Sequence, residues 1–254
     1  MKPSNSRFSV SLDADAGGRI ASLLLDGVEL LVTEGDKPIA WGAYPMVPWA
    51  GRMDRGTLRF DGQTHQFPIN IETHAIHGTA LTSKWIQRSP TVATCELVAP
   101  WPWGGNVTHS VDLREDRVRF KLSVEATQPM PAQVGWHPWF RRDVGQGEQL
   151  EVRVSPRKMY EISNTAIPTG KLVAPPPPPW DNCFIGLAMP PRLAWPGLAE
   201  LELRSSCDHW VIFDHPQHAI CVEPQSGPPN ALNTKPVIVT PDEPLVAWFE
   251  IVVV

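Results

Sequence analysis

Three ionisable residues stand where ionisable residues are costly: His77, His137 and Glu223 lie among apolar or aromatic neighbours. Burial of such groups needs a partner and often marks function. In Gly135-Trp136-His137-Pro138-Trp139-Phe140 one imidazole is flanked by bulky rings and by a proline that fixes the backbone. It is either a core histidine or a proton-transfer group. Glu223 follows Ala219-Ile220-Cys221-Val222, which has the character of a buried strand, and precedes Pro224-Gln225-Ser226-Gly227-Pro228-Pro229-Asn230, which reads as an irregular loop. A carboxylate at that strand end either caps loop amides or faces a rim where it can act as a base. Asp181, in Trp180-Asp181-Asn182-Cys183-Phe184, has the same two options, a turn role or a site role.

Metal and cofactor chemistry find less support. His74 and His77, and likewise His215 and His218, are three apart, but strand context sends such pairs to opposite faces and no Glu or Cys supports either pair. No metal is expected. Nucleophile-elbow, P-loop and dinucleotide-binding fingerprints are absent, and no cofactor is expected. The 11 Trp accompany only 2 Tyr, and a few of these indoles could serve as flat platforms for the C–H faces of sugar rings while most form core. His, Glu, Asp and Arg beside Trp suit proton transfer on a polyhydroxylated substrate, and equally suit plain binding.

The elements that must position these groups are strands. Across residues 106–128, Val107, His109, Val111 and Leu113 alternate with polar residues, Arg114-Glu115-Asp116-Arg117 makes a short connection, and Val118, Phe120, Leu122 and Val124 alternate again. Period two with one buried face predicts an antiparallel pair. Asp61-Gly62 between residues 57–60 and a run ending at Phe67 is a hairpin signal, because Asp-Gly supplies the positive φ of a primed turn. Asp26-Gly27 between residues 19–25 and 28–31 is another. Further strands are expected at 150–154, 201–204, 211–213, 220–222 and 246–254. With 28 Pro and 18 Gly in 254 residues, long helices are excluded. Many short strands without a composition shift indicate an all-β sandwich or barrel in a single domain spanning 1–254, with Pro175 to Pro179 as a polyproline connector.

A net charge of −5, from 27 acidic and 22 basic residues, argues against nucleic-acid or anionic-membrane partners. No apolar signal core opens the sequence, and the tail ending at Val254 is about half a spanning length and contains Glu250. Four scattered cysteines, Cys95, Cys183, Cys207 and Cys221, suit reduced thiols. A cytoplasmic protein, monomeric or homodimeric, is the expectation.

Taken together, Pro48-Trp49-Ala50-Gly51-Arg52-Met53, Ala75-Ile76-His77-Gly78, Gly135-Trp136-His137-Pro138-Trp139-Phe140, Asp181-Asn182-Cys183-Phe184 and Val222-Glu223-Pro224-Gln225 resemble the aldose 1-epimerase (galactose mutarotase) family in order and spacing. The resemblance runs from about Gly18 to the C-terminus and is nearest to its shorter bacterial branch. It implies a large antiparallel β-supersandwich with few short helices. It also implies cofactor-free exchange of sugar anomers, with Glu223 as general base, His137 as general acid, and Arg52, His77 and Asp181 holding sugar oxygens. Reference pKa values of about 4.3 for Glu and 6.5 for His lead to the expectation of an ionised carboxylate beside an imidazolium. Three other readings stay open: a phosphosugar 1-epimerase using Arg141 and Arg142 as phosphate forks, a carbohydrate-binding module without turnover, and glycoside hydrolysis by Asp181 and Glu223.

Overall fold

Alternating sequence becomes two large antiparallel sheets and three two-stranded ones in the computed structural model, which describes residues 7–254. The larger sheet has ten strands. In spatial order its main path runs Phe8–Asp13, Arg19–Leu25, Ala43–Met46, Gly135–Arg141, Ala219–Gln225, His209–Phe213, Asp181–Leu187, Pro156–Ile162 and Pro168–Val173, and Val28–Glu29 pairs with the second of these. The smaller sheet has eight: Glu151–Arg153, Arg192–Trp195, Ala199–Ser205, Leu245–Val253, Arg117–Glu125, Asn106–Leu113, Val92–Glu96 and Trp85–Ser89. Among the described residues one four-residue α-helix, Ala231–Thr234, and three short 3₁₀ turns are the only helical elements. No helix among the described residues is long and apolar enough to cross a membrane.

Both Asp-Gly hairpins form as their turn chemistry requires. Asp26 and Gly27 have φ of 50° and 85°, and Asp61 and Gly62 have 50° and 72°, the double positive φ of a type I′ turn. Asn106–Leu113 and Arg117–Glu125 pair in register from Asn106 opposite Glu125 to Leu113 opposite Val118. Some bounds differ from the sequence expectation. The strand after Asp26-Gly27 is Val28–Glu29, with Leu31 making an isolated bridge to Phe140, and the strand expected at 150–154 is Glu151–Arg153. The run expected at 220–222 extends over Ala219–Gln225, so Glu223 lies inside a strand and not at its end. Pro224 is tolerated there because the ladder continues on either side of it, with Glu223 opposite Val211 and Gln225 opposite His209.

The central strands of the larger sheet, Ala43–Met46, Gly135–Arg141, Ala219–Gln225 and His209–Phe213, are buried on both faces, which conceals their period in the sequence. Trp136, Phe140, Phe184, Trp210, Ile212, Ile220 and Val222 enter the main core. There Trp136 and Trp210 meet Phe249 of the smaller sheet at ring separations of 6.0 and 6.4 Å. Trp136 also donates its indole N–H to His109 Nε2 at 3.1 Å, so the polar atoms of both buried rings are paired across the sandwich. The alternate residues of the same strands, among them Tyr44, His137, Trp139, Val211, Phe213, Cys183 and Glu223, line a cavity of about 260 Å³.

Candidate active site

Strand register assembles the floor of this cavity. His137 is opposite Tyr44 on one side. On the other, the pairs Gly135–Gln225 and Trp139–Cys221 bracket it, which sets it opposite Glu223. Glu223 is in turn opposite Val211, and Val211 opposite Cys183. A single transverse row, Tyr44, His137, Glu223, Val211, Cys183, therefore crosses five strands. A second row, Trp139, Cys221, Phe213, Asp181, runs beside it. Residues directly opposite one another project to the same face, and the two rows share that face because their members lie two residues apart along each strand.

His137 Nε2 and Glu223 Oε1 are 3.2 Å apart, and the residues are 6 % and 2 % exposed. The imidazole is stacked between the rings of Tyr44 at 4.8 Å and Trp139 at 5.4 Å. Those two rings are themselves tied to one point, the Ile39 carbonyl, which accepts from Tyr44 Oη at 3.2 Å and from Trp139 Nε1 at 2.9 Å. Gln225 donates from Nε2 to Glu223 Oε2 at 3.1 Å. The Glu223 carboxyl thus has one oxygen on His137 and the other on Gln225.

Two loops carry the remaining groups to the floor. A two-residue ladder pairs Arg52 with Ile76 and Met53 with Ala75, which brings Arg52 beside His77. His77 adopts φ 63°, a left-handed conformation unusual for a side chain of this size and typical of a constrained site. It is held by two reciprocal bonds with Gly51: its N–H donates to the Gly51 carbonyl at 3.1 Å, and its Nδ1 accepts the Gly51 N–H at 3.3 Å. With Nδ1 occupied as an acceptor, the proton of the neutral ring resides on Nε2. Gly78 follows at φ +79°, and a Cβ there would lie 1.9 Å from the Val47 carbonyl oxygen, so only glycine lets these loops touch. Across the cavity Arg52 pairs with Asp181 at 3.2 Å.

Burial decides the protonation of the pair. Desolvation pushes Glu223 well above the usual carboxylate range, aided by the nearby Asp181 charge and opposed by the Gln225 hydrogen bond and Arg52. Desolvation likewise lowers His137 to about 3. His77 is also driven well below its ordinary value, first by burial and then by His137 and Arg52. Both shifts run against the expected carboxylate–imidazolium pair and favour a neutral carboxyl beside a neutral imidazole, because burial penalises both charged forms.

All five residues singled out in the sequence, Arg52, His77, His137, Asp181 and Glu223, line this one cavity. Residues not singled out also line it: Tyr44, Trp139, Cys183 and Gln225. Period two from His137 and Glu223 points to Trp139 and Gln225, whereas nothing local in the sequence marks Tyr44. His74 does not join His77. Its Nδ1 accepts the Arg55 N–H at 3.1 Å and its Nε2 meets the Thr165 carbonyl at 2.8 Å, a structural tie between loops. His215 and His218 stack separately on Phe213 and Trp139. Arg141 and Arg142 line a different hollow. The Arg142 guanidinium donates to the backbone carbonyls of Pro216 at 3.2 Å and Asp214 at 3.1 Å. Among the described residues, one set of metal-capable atoms converges: those of His137, Cys221 and Glu223 lie within 4.8 Å of one another. Burial holds the Cys221 thiol well above its ordinary pKa. An ion would therefore have to expel protons from both Cys221 and Glu223 in a site with little water, and this donor set fits a resident metal poorly.

The fold and cavity define an antiparallel β-supersandwich protein with a buried His137–Glu223 pair on the outer face of its larger sheet. The chain matches the Aldose 1-epimerase family over residues 4–238. It belongs to that family. It is 23 % identical over 261 residues to the uncharacterized protein YihR of Escherichia coli strain K12, covering 86 % of this chain and 81 % of YihR. A galactose mutarotase-like protein from Clostridium acetobutylicum superposes with a TM-score of 0.85 at 18 % identity, covering 100 % of this chain and 94 % of that one. Galactose 1-epimerase from Lactobacillus acidophilus NCFM gives a TM-score of 0.77 at 15 % identity, covering 99 % and 92 %. Similarity at this level speaks to the shared fold.

Proposed function

We propose that this protein exchanges the α and β anomers of a free aldose without a cofactor, using Glu223 as base and His137 as acid. The observation that carries the reading is the 3.2 Å approach of His137 Nε2 to Glu223 Oε1 on the floor of the cavity. A hemiacetal presents two oxygens on one carbon, the C1 hydroxyl and the ring oxygen, and two proton-exchanging groups this close can serve both at once. Opening removes the C1 hydroxyl proton to Glu223 and delivers the His137 proton to the ring oxygen, giving the open-chain aldehyde. Rotation about C1–C2 presents the other face, and reclosure runs the same transfers backwards. Protons balance, and one titratable proton on the pair suffices.

Burial favours carboxyl and imidazole in the pair, and the hydroxyls of a bound sugar would supply polar surroundings for the working ion pair. His77 offers its Nε2–H to the ring-oxygen side, Arg52 its guanidinium donors, and Asp181 acceptor oxygens for sugar hydroxyls. Tyr44, Trp139 and Phe213 provide flat apolar walls for C–H faces. A free sugar is favoured over a phosphosugar, because the Arg142 fork is committed to the Asp214 and Pro216 carbonyls outside this cavity.

Polarimetry of freshly dissolved α-D-glucose and α-D-galactose, with hexose 6-phosphates followed by exchange NMR, tests the reading. Accelerated anomer exchange, fastest on free sugars, is the expected result. Sugar binding without acceleration would overturn it in favour of a binding module, and release of new reducing ends from glycosides would point to hydrolysis.

A further inference from the structure

We infer that Gln225 is a positioning residue for the reaction: through its amide it fixes the rotamer of Glu223 and keeps one carboxyl oxygen turned to His137. The inference rests on the acid–base reading above and assigns a role to a residue outside the acid–base pair.

Gln225 is 0 % exposed and lines the same cavity as Glu223. It lies two residues after Glu223 in the strand Ala219–Gln225, so both side chains rise from one face of the sheet. Its Nε2 donates to Glu223 Oε2 at 3.1 Å. Its Oε1 has no hydrogen-bond partner although it is buried. A glutamine placed for fold stability would have both ends paired, because an unpaired buried acceptor costs free energy. This amide is committed at one end only, and that end is on the carboxyl.

The commitment has a geometric consequence. A glutamate carboxyl without a second partner rotates about its terminal torsion, which is broad. The Gln225 contact occupies Oε2 and leaves Oε1 as the oxygen 3.2 Å from His137 Nε2. The row of strand neighbours cannot provide this restraint, since Val211 and Cys183 on the other side of Glu223 offer no strong donor to Oε2. Removing the amide therefore costs alignment and changes proton affinity together. A hydrogen bond to the carboxylate favours its charged form, and its loss makes Glu223 hold a proton to higher pH. The other titratable groups facing Glu223 are His137, Tyr44, Asp181, Arg52, Cys183 and Cys221, and they are the same in the variant.

The test compares wild type with Gln225→Met, which keeps volume and burial, and with Gln225→Asn, which keeps an amide but withdraws it by one methylene. Anomer exchange of α-D-glucose and α-D-galactose is followed across pH. In parallel, infrared titration follows the protonated Glu223 carboxyl, assigned with Glu223→Gln. Both variants are expected to fold, to lose roughly tenfold in kcat with a smaller change in KM, and to move the alkaline limb upward. The Glu223 carboxyl band should persist to higher pH in both, whether or not these sugars turn over. Wild-type kcat and an unmoved carboxyl titration in Gln225→Met would overturn the inference. Absence of exchange by wild type itself would instead count against the proposed function, and the infrared titration would still decide the role of Gln225.

Discussion

Nε2 of His137 and Oε1 of Glu223 meet at 3.2 Å although the residues are 86 positions apart, because adjacent strands of the larger sheet hold them opposite one another. The contact is rigid on both sides: Tyr44 and Trp139 clamp the imidazole, and Gln225 takes the second carboxyl oxygen. Preorganisation of this kind is what the proposed proton transfers require. Glu223→Gln and His137→Asn are accordingly expected to lower kcat for anomer exchange by about 10²- to 10⁴-fold with the fold intact, measured by polarimetry beside circular dichroism.

In the proposed reaction, the pH profile of exchange follows from the single proton that the pair must carry. On the acid side a second proton quenches the base, and burial of His137, which lowers it to about 3, keeps that limb far below neutrality. On the alkaline side the pair loses its only proton, and burial of Glu223 moves that limb up from the usual carboxylate range. A broad plateau between the limbs is expected. Asp181→Asn removes a charge that raises Glu223, so its alkaline limb should shift to lower pH.

Stability carries the cost of the same burial. Glu223 binds its proton more tightly in the folded than in the unfolded chain, so its contribution is complete below the unfolded pKa and is lost as pH rises through the raised folded value. Glu223→Gln has no charge to bury. Its Tm should equal or exceed that of wild type, with a gap that widens as pH rises, at about 2–4 °C for each 1 kcal/mol in a chain of this size. Thermal melts across pH check this, and a variant that melts lower at alkaline pH would contradict it.

Arg52 and Asp181 join the loop layer to the sheet at 3.2 Å. Removing either partner should raise KM for the sugar more than it lowers kcat, roughly tenfold for Arg52→Lys, whose single ammonium cannot reproduce the planar fork. Steady-state kinetics on the preferred aldose would detect the split.

Two glycines at positive φ separate turn chemistry from site architecture. At Gly62 an added Cβ meets nothing within 4 Å, whereas at Gly78 it would fall 1.9 Å from the Val47 carbonyl oxygen. Gly62→Ala should cost about 1 kcal/mol of stability with activity retained. Gly78→Ala should cost several-fold more and displace His77, seen as a lower Tm with lost exchange activity.

The sequence by itself determined the strand pairs that face a core on one side only. Residues 106–113 and 118–124 alternate cleanly because one face meets the core and the other meets solvent. The Asp-Gly turns are equally legible because their positive φ is a local requirement. Glu223 illustrates the limit: a continuous apolar run followed by Pro224 reads as a strand end, yet the strand continues to Gln225 because His209–Phe213 pairs with it along residues 221–225 and Gly135 meets Gln225 on the other side.

Residue types marked His77, His137 and Glu223, since ionisable groups in apolar or aromatic surroundings are conspicuous anywhere in a chain, and left Asp181 between a turn role and a site role, whereas Arg52 was pointed to only by the resemblance to the aldose 1-epimerase family. Only the tertiary structure decided which atoms face which. Register across five strands placed Tyr44 and Glu223 on either side of His137, aligned Gln225 with the carboxyl, and sent Arg142 to a different hollow. It also set the direction in which burial moves both groups, because desolvation depends on how completely two sheets and their loops exclude water, a property of the assembled fold and of no segment within it.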